Sequence, residues 1–152
     1  MKTDIRKLVV LGAGTMGAQV AAHAAGQGLE VVLLDLPSPA PDRSAFARRG
    51  LEALKTLRPS PLHLPEHAAL IRPGNFEDDW SRIADADWVF EAVVEDVEVK
   101  RQLFAQVAAA VTPAAIVTTN TSGLGIETMT SHLLPAFRRR FLLELPVFNG
   151  MH

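Results

Sequence analysis

Residues 7–35 read KLVVLGAGTMGAQVAAHAAGQGLEVVLLD, and the order of chemistries in this stretch decides the fold. Lys7 to Leu11 is a short apolar run containing two adjacent β-branched valines, as expected of a strand buried on both faces. Glycines follow at once. Met16 to Gly28 then places Ala, Val and His where a buried helix would carry them. Glu30 to Asp35 (EVVLLD) reads as a second buried strand. Strand, tight turn, helix and strand within about thirty residues are the dimensions of a βαβ unit, whose crossover is right-handed.

The same alternation continues outward. After Leu36 the prolines of PSPAPD deny a strand its backbone donors, so this segment is a loop. Asp42 or Ser44 can cap a helix running to about Leu57, with Ala45, Phe46, Leu51 and Leu54 on its apolar side. Arg58 to Pro65 (RPSPLHLP) forms a second proline-rich connector. The pieces on either side of it are too small for separate cores, so residues 1–152 are expected to form one domain. Ile71 to Asn75 reads as a short strand and Phe76 to Ile83 as a short helix. Asp87 to Ala92 reads as a strand, Glu98 to Val111 as a helix and Ala115 to Thr119 as a strand. Leu124 to Leu134 is predicted helical, and Arg140 to Val147 as a last strand interrupted by Pro146. This pattern predicts an α/β fold, a doubly wound and mainly parallel sheet.

Composition narrows the function classes. The chain has 152 residues, 48% of them apolar, and a formal net charge of −2. It is long enough to bury a core without staples, and it has no cysteine, which fits a reducing compartment; the expectation is the cytoplasm. The longest apolar stretches are broken well before the length of a membrane span, and MKTDIRK has no apolar signal core. Fifteen basic against seventeen acidic residues leave no electrostatic footprint for nucleic acid.

Gly12, Gly14 and Gly17 form G-A-G-T-M-G between the first strand and the first helix. The glycine triplet alone is weak, and its placement is what makes it specific. Gly12 permits the tight turn, Gly14 lets the backbone approach a diphosphate, and Gly17 lets the helix lie close to the strand. The helix start then offers unpaired N–H groups and partial positive charge to phosphates. Thr15 and Met16, at that start, are counted with the glycines as cofactor-contacting positions. Asp35 ends the second strand, where a carboxylate accepts hydrogen bonds from ribose hydroxyls and repels a 2′-phosphate. No Arg or Lys follows until Arg43, so NAD is favoured over NADP.

Glu91, Glu95 and Lys100 surround the end of the strand at 87–92, the end at which wound sheets bind ligands. Spacing alone makes Asp96 and Glu98 first-turn acids of the next helix and Lys100 a surface residue. Thr118 to Gly123 (TTNTSG) could hydrogen-bond a small ligand's oxygen and leave room for a nicotinamide ring, or could be a turn that caps the following helix. No histidine has a spacing that suggests a metal site, and Arg138 to Arg140 read as a solvated helix end.

Together, V-L-G-A-G-T-M-G-A at 10–18, Asp35, A-D-W-V-F-E-A-V-V-E at 86–95, V-K-x-x-L-F at 99–104 and T-N-T-S-G at 119–123 resemble the L-3-hydroxyacyl-CoA dehydrogenases of fatty-acid β-oxidation. The resemblance implies a Rossmann-type NAD-binding domain. In that family a separate helical domain completes an acyl-CoA cleft and a homodimer. It also implies oxidation of a 3-hydroxyl to a ketone with hydride passing to NAD. On this basis the GAGTMG glycines bind the diphosphate, Asp35 the adenosine ribose, and Glu95 and Lys100 lie near the nicotinamide half. Asn120 is counted with the cofactor-binding residues, and Ser122 matches the serine that hydrogen-bonds the substrate oxygen.

The chain departs from the family's pattern near its end. A histidine general base in a G-x-H-F-F-N-P strand is matched here by F-L-L-E-L-P-V-F-N-G-M-H, with Leu145 or Pro146 at the histidine position. The histidine, its glutamate and the helical domain are expected to be absent from this chain, leaving it inactive by itself. Two rival readings stay open: the NAD-binding domain of another hydroxy-acid or sugar-acid dehydrogenase, and a non-catalytic nucleotide-binding module.

Overall fold

The computed structural model describes residues 4–62 and 64–139. Its sheet has five strands, β1 (Lys7–Leu11), β2 (Glu30–Asp35), β3 (Ile71–Asn75), β4 (Trp88–Glu91) and β5 (Ile116–Thr119), in the order β3-β2-β1-β4-β5. Every pairing is parallel. The chain winds outward from β1 through β2 to β3, then crosses back to β4 on the other side of β1. The reversal opens a crevice at the carboxyl ends of β1 and β4, the place where wound sheets hold ligands. In register, Leu11 faces Leu34 on one side and Glu91 on the other.

Strand pleating explains why β1 is apolar at nearly every position. Leu8 and Val10 point to one face and pack with Ala21, Ala24 and Ala25 of α1 (Thr15–Gly26). Val9 and Leu11 point to the other and join Leu103, Phe104 and Val107 of α3 (Val97–Ala110). Period-two alternation therefore buries both sets, one under each helical layer. On the first face α2 (Ala45–Leu54) packs beside α1 through Leu54, Ala18 and Ala22. On the second, Met129 of α4 (Ile126–Thr130) and Phe137 of α5 (Pro135–Arg138) complete the layer. Pro73 sits within β3, which tolerates it as an edge strand of the sheet.

The helix expected over 98–111 is present at full length, whereas those expected over 76–83 and 124–134 are cut short for local reasons. After β3, the Asn75 side chain accepts from the N–H groups of Glu77 and Asp78, an Asx turn that competes with helix. Only a 3₁₀ turn, Trp80–Ile83, follows where a helix over 76–83 is expected. The helix expected over 124–134 is confined to α4, and α5 begins only at Pro135, whose ring disfavours helical geometry at Leu134. A further 3₁₀ turn, Pro65–Leu70, begins at the end of the proline-rich connector and fills the stretch before β3, to which the sequence assigned no element. The strand expected over 140–147 lies outside the described residues. Among the described residues no helix is long and apolar enough to cross a membrane.

The loop ahead of α2 is tied to the loop after β3. Arg43 donates to Asp78 at 2.7 Å and to Glu77 at 2.5 Å. The hydrogen bonds from Arg43 and Asn75 hold the Asp78 carboxyl below the usual carboxylate range.

Candidate functional site

The first βα turn is built by exclusion of side chains. Gly12 has φ +103°, and a Cβ there would stand 2.5 Å from the Ala92 carbonyl oxygen of the neighbouring β4 turn. Its N–H donates to the Leu34 carbonyl at 2.7 Å, which fastens the turn to the end of β2. A Cβ on Gly17 would overlap the Gly12 carbonyl oxygen, so α1 lies against the turn only because residue 17 lacks one. Gly14 is different: nothing lies within 4 Å of the position its Cβ would take. That open space, at the N-cap of α1, is where a diphosphate can reach the backbone. No side chain caps α1 and its first turn has no acid, leaving the N–H groups there free for an anion. Thr15 is exposed and Met16 half-buried at this helix start.

Asp35 is half-buried and already engaged on both oxygens. Oδ2 accepts from the Ala13 N–H and Oδ1 from the Leu36 N–H, each at 2.7 Å. Each oxygen keeps a further lone pair for a sugar hydroxyl. A cavity of about 470 Å³ opens between this carboxylate, the phosphate-facing turn and α2. Ala13, Gly14, Thr15 and Asp35 line one side of it, and Phe46 and Leu54 the other. The volume lies within the usual range for small-molecule sites. Asp35→Ala should weaken NAD binding by about 1–3 kcal/mol, the typical loss for hydrogen bonds to a charged group. An unchanged affinity by calorimetry would mean that Asp35 serves only the turn.

At the other end of the crevice stands a charge cluster that spacing alone misreads. Lys100 is 1% exposed, not a surface residue, and Glu91 is 0% exposed. The Lys100 ammonium donates to Glu91 Oε1 at 2.5 Å, the Val93 N–H donates to the same oxygen at 2.7 Å, and the Thr119 hydroxyl donates to Oε2 at 2.5 Å. Glu91 thus binds three segments together: the turn after β4, the first turns of α3 and the end of β5. The Asn120 N–H donates to the Glu91 carbonyl at 2.8 Å, and the Thr121 N–H to the Thr119 hydroxyl at 3.1 Å. These bonds set the TTNTSG loop beside the β4 turn and leave Asn120 and Ser122 exposed at the carboxyl end of the sheet. Glu95, also exposed, reaches this loop: its Oε1 is 3.4 Å from where a Cβ on Gly123 would stand. Asp96 caps α3, its side chain accepting from the Val99 N–H at 2.9 Å.

The residues singled out in the sequence therefore fall into two groups along one crevice. Gly12, Gly14, Thr15, Met16, Gly17 and Asp35 gather at the β1–β2 end, and Glu95, Asn120 and Ser122 at the β4–β5 end. Lys100 lies beneath the second group, its ammonium turned into the protein. Thr119, read only as part of the TTNTSG loop, turns out to serve Glu91, and Gly50 escapes a reading by spacing. Gly50 lies on α2, where a Cβ would overlap the Ala13 carbonyl oxygen, a contact between segments that local sequence does not announce.

An all-parallel wound sheet, a glycine turn feeding an uncapped helix at its switch point and an acid ending the neighbouring strand define a Rossmann-type dinucleotide-binding domain. The family model described as "3-hydroxyacyl-CoA dehydrogenase, NAD binding domain" matches residues 7–143, and the chain belongs to that family. A Deinococcus radiodurans protein named "Probable 3-hydroxyacyl-CoA dehydrogenase" is 39% identical over 139 residues, covering 91% of this chain and 40% of its own. A Rickettsia felis protein carrying the name of a fatty acid oxidation complex trifunctional enzyme is 33% identical over 144 residues, covering 94% of this chain and 20% of its own. The crystal structure of 3-hydroxybutyryl-CoA dehydrogenase from Escherichia coli superposes with a TM-score of 0.73 at 28% identity, covering 95% of this chain and 31% of that one. The chain thus spans less than half the length of these relatives. NAD is the cofactor of the domain that the family model describes.

Proposed function

We propose that the chain holds NAD for the oxidation of a 3-hydroxyacyl-CoA to the 3-ketoacyl-CoA, as the cofactor domain of an NAD-dependent dehydrogenase of fatty-acid oxidation. The observation that carries this reading is the meeting of the open Gly14 turn and the Asp35 carboxylate around one cavity. When bound, NAD supplies the acceptor for the hydride leaving the secondary alcohol. The turn at residues 12–17 and the start of α1 hold the diphosphate, and Asp35 accepts from the adenosine ribose hydroxyls. Glu95 and Asn120 serve the nicotinamide half, and Lys100, expected from the resemblance to join them, is instead buried against Glu91, where the pair fixes the segments that carry them. The Ser122 hydroxyl donates to the substrate's oxygen at the carbon that is oxidised.

The alcohol must also lose a proton, and a positioned acceptor for it is typically worth about 10²–10⁴ in rate. At the position that the resemblance assigns to a basic histidine, Leu145 or Pro146 offers no proton acceptor. The same reading takes an acyl-CoA as the substrate, a homodimer as the assembly and the cytoplasm as the compartment. Alone, the chain is expected to bind NAD and turn over substrate poorly. The test is an assay of the purified chain with acetoacetyl-CoA and NADH, alongside NADH calorimetry. Binding without appreciable turnover is the expected pair of results. Turnover near that of a complete enzyme would overturn the second half, and absent binding the first.

A further inference from the structure

The cavity beside Asp35 carries one cation, and its surroundings assign it a task. Along α2, Phe46, Arg49 and Ala53 recur on the side facing this cavity, at helical spacing. Gly50 seats α2 directly on the Ala13 carbonyl, so Arg49 stands one residue from the closest approach of this helix to the glycine turn. The two neighbouring arginines are bound to acids: Arg43 to Glu77 and Asp78, and Arg48 to Asp42 at 2.8 Å. Arg49, among the described residues, has no carboxylate partner. Its guanidinium carbon instead lies 5.6 Å from the centre of the Phe46 ring, on a wall that is otherwise apolar.

We infer that Arg49 is a specificity-determining residue for the adenine base of the cofactor, laying its guanidinium plane on one face of the purine while Asp35 holds the ribose. This inference rests on the NAD reading above. The alternative task for the cation, pairing with a phosphate, fits the cavity less well. The diphosphate has its own cradle at Gly14 and Thr15, and Asp35 shares the cavity and repels a 2′-phosphate. Apolar walls around Phe46, Ala53 and Leu54 suit a flat ring. A planar guanidinium stacks on aromatic faces, and an ammonium does so poorly.

The test is calorimetry of NADH and ADP-ribose, two ligands that share the adenosine half, on the wild type, Arg49→Ala and Arg49→Lys. Arg49 is exposed, so both variants should keep the wild-type melting temperature. Arg49→Ala should weaken both ligands by the same factor, about three- to thirtyfold for a contact of this kind, and Arg49→Lys should recover little of it. Full recovery in Arg49→Lys would mean a point charge on a phosphate and would overturn the stacking role. Unchanged affinity in Arg49→Ala overturns this inference alone, leaving the NAD reading in place. A wild type that binds neither ligand overturns both.

Discussion

Lys100→Met is expected to lower the stability of the domain by about 3 kcal/mol, because removing one partner of a buried ion pair leaves the other charge stranded. The loss should sit at the lower end of the usual range. Glu91 keeps its hydrogen bonds from the Val93 N–H and the Thr119 hydroxyl after the ammonium is gone. For a chain of this size that corresponds to a fall in melting temperature of about 6–12 °C. Adding Glu91→Gln to Lys100→Met should restore part of the loss, since a neutral amide no longer needs a counter-charge and can still accept one of the two remaining bonds. Urea melts of the two single variants and the double variant give the coupling directly. A Lys100→Met variant within about 0.5 kcal/mol of wild type, the range of an ordinary surface change, would show that the pair does not hold the cluster.

Gly17→Ala should be the second large effect, and its sign is decided by two opposed terms. Alanine in a helix is favoured over glycine by about 1 kcal/mol. Against this, the added methyl overlaps the Gly12 carbonyl oxygen, a backbone atom that no rotamer change can move aside. Overpacking typically costs about 1–3 kcal/mol and sometimes more, and a rigid obstacle belongs at the upper end. The helix must retreat from β1, which also displaces the N–H groups at Thr15 and Met16. A net loss of about 2 kcal/mol in stability and at least a tenfold loss in NADH affinity are expected. Thermal melts and calorimetry measure the two, and an alanine variant that is more stable than wild type and binds NADH normally would refute the close-approach argument.

The parts of the molecule legible in the sequence are those whose cause is local. β1 and β2 bury both faces and so appear as unbroken apolar runs, and the glycines between them lie within a few residues of the contacts that require them. Asp35 is legible for the same reason, as the last residue of one such run. Helix ends were harder: the Asn75 turn and Pro135 cut short segments whose apolar spacing runs on. Lys100 defeats a spacing argument altogether. A lysine in the first turns of an amphipathic helix reads as solvated, and only the approach of α3 to β4 turns it inward onto Glu91. One clue was present, since a glutamate inside the apolar run DWVFEA needs a partner once it is buried. Gly50 and Arg49 depend on where α2 settles against the glycine turn, a distance between segments that no periodicity encodes.

The Ala13 peptide is held from two directions: Asp35 takes its N–H, and the bare backbone of Gly50 presses on its carbonyl. Such a turn is preorganised, with its shape set by strand and helix before any anion arrives. Little ordering entropy then remains to be lost on association, so more of each contact's free energy survives as affinity. Capture of the coenzyme should accordingly follow a single kinetic phase governed by encounter, with no slow rearrangement behind it.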